Sequence, residues 1–148
     1  MDKLIVVVMG PGKKHFAKMC LDSVKDADKI LYWTSEFNFN DKRIEVHHNG
    51  WNEQDPTTNG KCRQRYLEHL KKNYPDDWCL VIDEDEIVED LQKIKDFIQK
   101  VEPGIYNVKM RHFIGNIGHE DATRPIHVVP GRLFKISEAI KYPEHSHP

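Results

Sequence analysis

Trp78-Cys79-Leu80-Val81-Ile82-Asp83-Glu84-Asp85-Glu86 sets an unbroken apolar run directly before an unbroken acidic one. An apolar run of this length, with β-branched Val81 and Ile82, reads as a strand buried on both faces, the condition of strands in a parallel sheet covered by helices. Ligands of open α/β sheets bind outside the carboxyl ends of the strands. The acidic residues therefore face a binding crevice, and Asp83 and Asp85, one residue apart, are placed to hold a divalent cation. The competing reading is a solvated acidic loop or a helix N-cap, in which like charges repel with no cation to relieve them.

The same logic extends outward. Leu4-Ile5-Val6-Val7-Val8-Met9 reads as a second buried strand, ended by Gly10-Pro11-Gly12, and Phe16, Ala17, Cys20, Leu21 and Val24 then recur at helical spacing. Lys29 to Trp33 and Ile44 to His47 read as further strands. Cys62, Tyr66, Leu67, Leu70 and Tyr74 form a helix stripe that stops before Pro75. Another stripe, Leu91, Ile94, Phe97, Ile98 and Val101, begins after Glu89-Asp90 and ends at Pro103-Gly104. Beyond it the period becomes two: Tyr106, Val108 and Met110 alternate with polar residues, predicting a half-exposed antiparallel strand, and Ile126 to Val129 and Arg132 to Ile136 predict two more.

At 148 residues the chain fits one domain with a core sufficient without disulfides. Cys20, Cys62 and Cys79 fall on apolar positions, are odd in number and have no zinc-ligand spacing, so they read as reduced core residues. Lys and Arg (22) nearly match Asp and Glu (24), a net charge of -2, which supplies no general field for nucleic acid or an anionic membrane. No apolar stretch approaches membrane-spanning length and the N-terminal run is too short for a secretory signal, so the chain reads as soluble and cytoplasmic. The Gly10 to Lys14 turn lacks phosphate-loop spacing, and the acidic run lacks the glycine of a calcium-binding EF-hand loop.

The order of elements resembles the family 2 glycosyltransferases of GT-A fold. Leu4 to Met9 with Gly10-Pro11-Gly12 is similar to that family's opening strand and turn, although its usual Thr/Ser-Tyr-Asn after the proline is absent. Trp51 to Glu86 is similar to the segment ending in Asp-x-Asp-Glu. Gly131-Arg132-Leu133-Phe134-Lys135 resembles the Arg-Leu-Phe-Arg strand of the lipopolysaccharide-core branch, and Pro143-Glu144-His145-Ser146-His147 is similar to its closing histidine segment. The resemblance implies an α/β fold: a GT-A type, Rossmann-like α/β/α sandwich with a mainly parallel central sheet and antiparallel C-terminal strands. Residues 1–148 would form a single domain, 1–86 binding a nucleotide-sugar and 87–148 closing over acceptor and metal.

The implied activity is metal-dependent transfer of a sugar from a nucleotide-diphosphate donor, UDP by family frequency, to an unidentified acceptor hydroxyl, with inversion. A cation bridging the diphosphate oxygens stabilises that leaving group, and hard oxygen ligands favour Mn2+ or Mg2+. By the resemblance Asp83 lies nearer the donor, Asp85 coordinates the metal, His145 or His147 completes its shell, and Pro11, Ser35, Glu36 and Arg132 lie on the donor side. Lys61 and Arg63 offer a point charge and a planar fork to the donor phosphates, a solvated helix face being the plainer reading. Asp121, with Glu120 as alternative, is the candidate base toward the acceptor. Two other readings stand beside this one: a nucleotidyltransferase of similar fold, which wants an arginine-bearing loop after the first strand, and a non-catalytic nucleotide or sugar binder. An exposed sheet edge in the second half offers a pairing surface to a second copy or a partner protein.

Overall fold

Buried apolar runs cannot leave backbone amides unpaired, so they pair with one another. The computed structural model describes residues 1–11, 14–35, 41–110 and 127–140. Its elements in chain order are β1 (Leu4–Gly10), α1 (Lys14–Ser23), β2 (Lys29–Thr34), β3 (Ile44–His48), α2 (Thr58–Asn73), β4 (Trp78–Asp83), α3 (Leu91–Ile98), β5 (Ile105–Met110) and β6 (His127–Lys135). They build one sheet in the order β3-β2-β1-β4-β6-β5. β3, β2, β1 and β4 run parallel, and β6 lies antiparallel between β4 and β5.

Strand alternation divides the apolar residues between two layers. Leu4, Val6, Val8, Leu80 and Ile82 face α1 and α3, packing on Ala17, Cys20, Leu21, Leu91 and Ile98. Ile5, Val7, Cys79 and Val81 face α2, packing on Cys62, Tyr66, Leu67 and Leu70. Both faces of the central strands are thus covered, which is why β1 and β4 read as unbroken apolar runs. All three cysteines are buried and free.

Two expectations need correction. Ile126 to Val129 and Arg132 to Ile136 are not separate strands: His127–Lys135 is continuous through Pro130-Gly131. The pairing jumps from Tyr106↔Leu133 to Val108↔Val129, so one residue of β5 faces three of β6. This bulge absorbs a proline without an N–H and a glycine at φ +72. The helix expected to reach Val101 ends at Ile98, where the Gln99 and Lys100 amides donate to Asp96 and Phe97, tightening the chain into a terminal turn. Its start is as expected, Asp90 accepting from the Lys93 amide at 3.2 Å.

At Gly131 the nearest atom to an added Cβ is Ile105 Cγ2 at 3.9 Å, so only the positive φ opposes a side chain. Gly131→Ala is expected to cost about 1 kcal/mol in urea unfolding and Gly131→Asn distinctly less, since asparagine tolerates this conformation. Equal stability of all three forms contradicts the bulge.

Candidate functional site

Parallel pairing brings the carboxyl ends of β1, β2, β3 and β4 to one edge, and side chains and turns stitch that edge together. The Glu84 amide donates to Met9 O at 2.8 Å, extending the β1–β4 ladder past β4, and the Asn49 amide donates to Thr34 O at 3.0 Å, extending β2–β3. Asn49 is buried. Its Nδ2 reaches across to Gly10 O at 3.4 Å, and its Oδ1 accepts from the Trp51 amide at 2.8 Å. The Ser35 hydroxyl donates to Pro11 O at 3.4 Å, so Pro11 and Ser35 meet where β1 and β2 end.

The acidic run splits in two. Glu84 and Glu86 turn inward, at 4% and 0% exposure, while Asp85 is exposed and Asp83 half-exposed. Glu84 Oε2 accepts a short hydrogen bond from the Tyr32 hydroxyl. The Glu84 side chain also runs over Gly10, where an added Cβ would lie 2.2 Å from Glu84 Cδ, so a residue without a side chain is required there. Burial, and then the bond to Glu84, push the Tyr32 hydroxyl well above the usual tyrosine range.

Glu86 Oε1 accepts from the Asp83 amide at 2.7 Å and from Arg132 Nη1 at 2.8 Å. Arg132 Nη1 also donates to Val81 O at 3.1 Å, and Nη2 stands 3.6 Å from Asp83 Oδ2. One guanidinium from β6 therefore grips the last residues of β4 and the turn after it. Burial raises the Glu86 carboxyl above its ordinary 4.5 in spite of Arg132. Beneath the turn, Cys20 Sγ lies 3.5 Å from Asp83 O, its thiol pushed up by burial first and by the four acidic residues next. Such a thiol stays protonated and is a poor nucleophile.

Asp83, whose side chain is 44% exposed, and Asp85 are the two carboxylates of the run that stay open to solvent. The other expected residues fare differently. Arg132 lies among the acidic residues rather than open to the crevice, with 11% of its side chain exposed. Lys61 Nζ is ion-paired with Asp55 at 2.6 Å, and Arg63 Nη1 donates to Tyr66 Oη at 3.3 Å, both in the first turns of α2. Glu36, Glu120, Asp121, His145 and His147 lie outside the described residues. Residue reading passed over Tyr32 and Asn49. A tyrosine inside an apolar strand signals a polar partner for its hydroxyl, but an asparagine opening a loop carries no comparable mark.

The sheet order and the two helical layers define the class: a GT-A type, Rossmann-like α/β/α sandwich, mainly parallel with antiparallel C-terminal strands. No protein-family model matches the chain, and no curated protein matches it in sequence. Among solved structures it is similar to S. aureus TarS 1-349, with a TM-score of 0.62 and 16% identity over 97% of this chain and 51% of that one. It is also similar to 4-diphosphocytidyl-2C-methyl-D-erythritol synthase, with a TM-score of 0.57 and 17% identity over 92% of this chain and 76% of that one. A third is the 2-C-methyl-D-erythritol 4-phosphate cytidylyltransferase of Thermus thermophilus, with a TM-score of 0.52 and 15% identity over 90% of this chain and 71% of that one. At these identities the likeness is one of fold, and the chain spans about half the length of the TarS chain.

Arg132→Ala leaves the Glu86 charge buried and unpaired, an expected loss of about 3 kcal/mol in chemical denaturation near neutral pH. A carboxyl whose folded-state pKa lies above its unfolded value contributes stability that is full below the unfolded value and lost as pH rises through the folded one. Removing Arg132 raises the folded value further, so the loss should shrink in acid, where Glu86 takes a proton. The pair replacement Arg132→Met with Glu86→Leu should recover most of it. A loss independent of pH and equal in the single and paired variants means that Arg132 acts through packing alone.

Proposed function

We propose that the chain is a metal-dependent glycosyltransferase acting on a nucleotide-diphosphate sugar, with a UDP-linked donor and an inverting transfer to an acceptor hydroxyl. The observation that supports this reading is that Asp83 and Asp85 keep exposed surface at the carboxyl end of β4 while Glu84 and Glu86 are buried. The fold shared with TarS, a GT-A glycosyltransferase, supports it.

In this reading Asp83 and Asp85 hold Mn2+ or Mg2+, which neutralises charge on the departing diphosphate. Arg132 is a positioning residue: it sets Asp83 from behind and does not itself touch the donor. Pro11 and Ser35, joined at the ends of β1 and β2, border the nucleoside side with Glu36, and Lys61 and Arg63 would reach the phosphates only by leaving Asp55 and Tyr66. Trp51, 45% exposed and oriented through Asn49, offers a flat apolar surface to a sugar or base. Asp121 or Glu120 takes the acceptor proton, and His145 or His147 completes the metal shell. The cytoplasm, where nucleotide-activated donors are available, is the matching location; among the described residues no helix is long and apolar enough to cross a membrane.

A nucleotidyltransferase is the second reading, favoured by the fuller span of its neighbours: the chain covers 76% and 71% of the synthase and cytidylyltransferase chains but 51% of TarS. Against it, Gly10 to Lys14 has no arginine to grip a triphosphate.

Thermal unfolding with UDP, CDP, GDP and ADP, each with and without Mn2+, tests both. A nucleotide at a hundred times its Kd adds about 2.7 kcal/mol, a rise of several degrees for a domain of this size. UDP is expected to stabilise only with Mn2+, and Asp85→Ala to abolish that rise without lowering the ligand-free midpoint. Release of free sugar from the UDP-linked donor supports the glycosyltransferase, whereas pyrophosphate release from CTP supports the second reading. No stabilisation by any nucleotide overturns both.

A further inference from the structure

A second cluster of ligating side chains lies away from the acidic turn, on edge strand β3 and helix α2. Glu45 and His47 are two apart on β3 and so share a face, the one covered by α2, while Val46 packs on the opposite layer. His69 meets them from α2. Glu45 Oε2 lies 2.7 Å from His47 Nε2 and 3.3 Å from His69 Nε2, and the three ligand atoms all fall within 4.8 Å of one another. Trp33 holds the imidazoles in place, stacked on His47 at 4.4 Å and edge-on to His69 at 5.6 Å.

His69 Nε2 is the telling atom. It is buried and makes no hydrogen bond, although Glu45 Oε2 is only 3.3 Å away. A nitrogen near a carboxylate but not aligned with it is poorly served by hydrogen bonding and well placed for a shared cation. Tetrahedral Zn2+ with ligands at about 2.0–2.1 Å sets its donor atoms about 3.3 Å apart. The Glu45–His69 spacing already has that value, and the Glu45–His47 contact needs to open by about 0.6 Å. The side chains of His47, Glu45 and His69 are 26%, 37% and 23% exposed, so the cluster lies near the surface at the sheet edge.

We propose that Glu45, His47 and His69 form a zinc site that ties the edge strand β3 to α2. Two imidazoles and one carboxylate select a borderline transition metal over Mg2+ or Ca2+, which prefer all-oxygen shells. β3 and β4 are separated in the sheet by β2 and β1, three strand spacings or about 14 Å, so the site does not draw on Asp83 or Asp85. Asn73 Nδ2 stands 3.3 Å from His69 Nδ1. Its firmer bond runs to His69 O at 3.0 Å, so Asn73 braces the turn of α2 that carries the His69 ring.

The full chain, stripped of metal with a chelator, is titrated with Zn2+ against a chromophoric competitor and with Co2+ in visible absorption. One equivalent of Zn2+ is expected, with the intense absorption of tetrahedral Co2+. His69→Ala and His47→Ala should each weaken binding far more than tenfold, Asn73→Ala about tenfold, and His48→Ala, on the exposed neighbouring position, not at all. Circular dichroism matched to the parent chain excludes unfolding as the cause. No zinc binding, or binding equal in all variants, overturns the site.

Discussion

A carboxylate with no exposed surface, Glu86, follows closely on the end of β4, and Arg132 is what allows it to stay there. Desolvating an ion costs several kcal/mol even after relaxation, and a buried pair offsets that only when the remaining lone pairs and protons are satisfied. Here Glu86 Oε1 accepts from both Arg132 and the Asp83 amide, and the same guanidinium also reaches Val81 O, while Oε2 is buried without a hydrogen bond, so the pair is only partly compensated and burial still raises the carboxyl. The clamp joins a strand late in the chain to a turn 46 residues earlier, so the shape of the acidic turn depends on β6 lying beside β4.

That constraint sorts four adjacent acidic residues into two functions. Glu84 is held by Tyr32 and lies against Gly10, while Glu86 is held by Arg132. Asp83 and Asp85 alternate with them and keep exposed surface, Asp83 with one oxygen 3.6 Å from Arg132. Asn49 and the Ser35–Pro11 contact complete the edge by tying the ends of β1, β2 and β3 to one another.

Much of this architecture was legible in residue order because burial on both faces leaves a strong mark: β1 and β4 are apolar throughout, and α2 and α3 carry clear stripes. The Pro130-Gly131 pair misled because these residues ordinarily punctuate a turn, whereas here a bulge keeps the strand whole. In the acidic turn, spacing gave no sign that Arg132 is a clamp, since its partner lies far away in sequence. Lys61 illustrates the opposite case: a cation before a helix suggests a phosphate ligand, and only the fold reveals Asp55 beside it. The histidine cluster with Glu45 was equally hidden, because His47 and His69 meet only through packing of α2 on the sheet edge.

A fold shared by a glycosyltransferase and cytidylyltransferases leaves chemistry to the groups at one sheet edge, as expected where function is grafted onto a common scaffold. The proposed cation site requires that the Arg132 clamp leave Asp83 and Asp85 open to solvent. Manganese-induced broadening of backbone amide signals by nuclear magnetic resonance tests it most directly, because paramagnetic relaxation reports position without requiring turnover. Signals of residues 83–86 and of Gly10 are expected to broaden first, and Asp85→Ala to delay the effect. With the Glu45–His47–His69 cluster first filled by Zn2+, broadening that spares residues 83–86 or spreads evenly over the surface contradicts it.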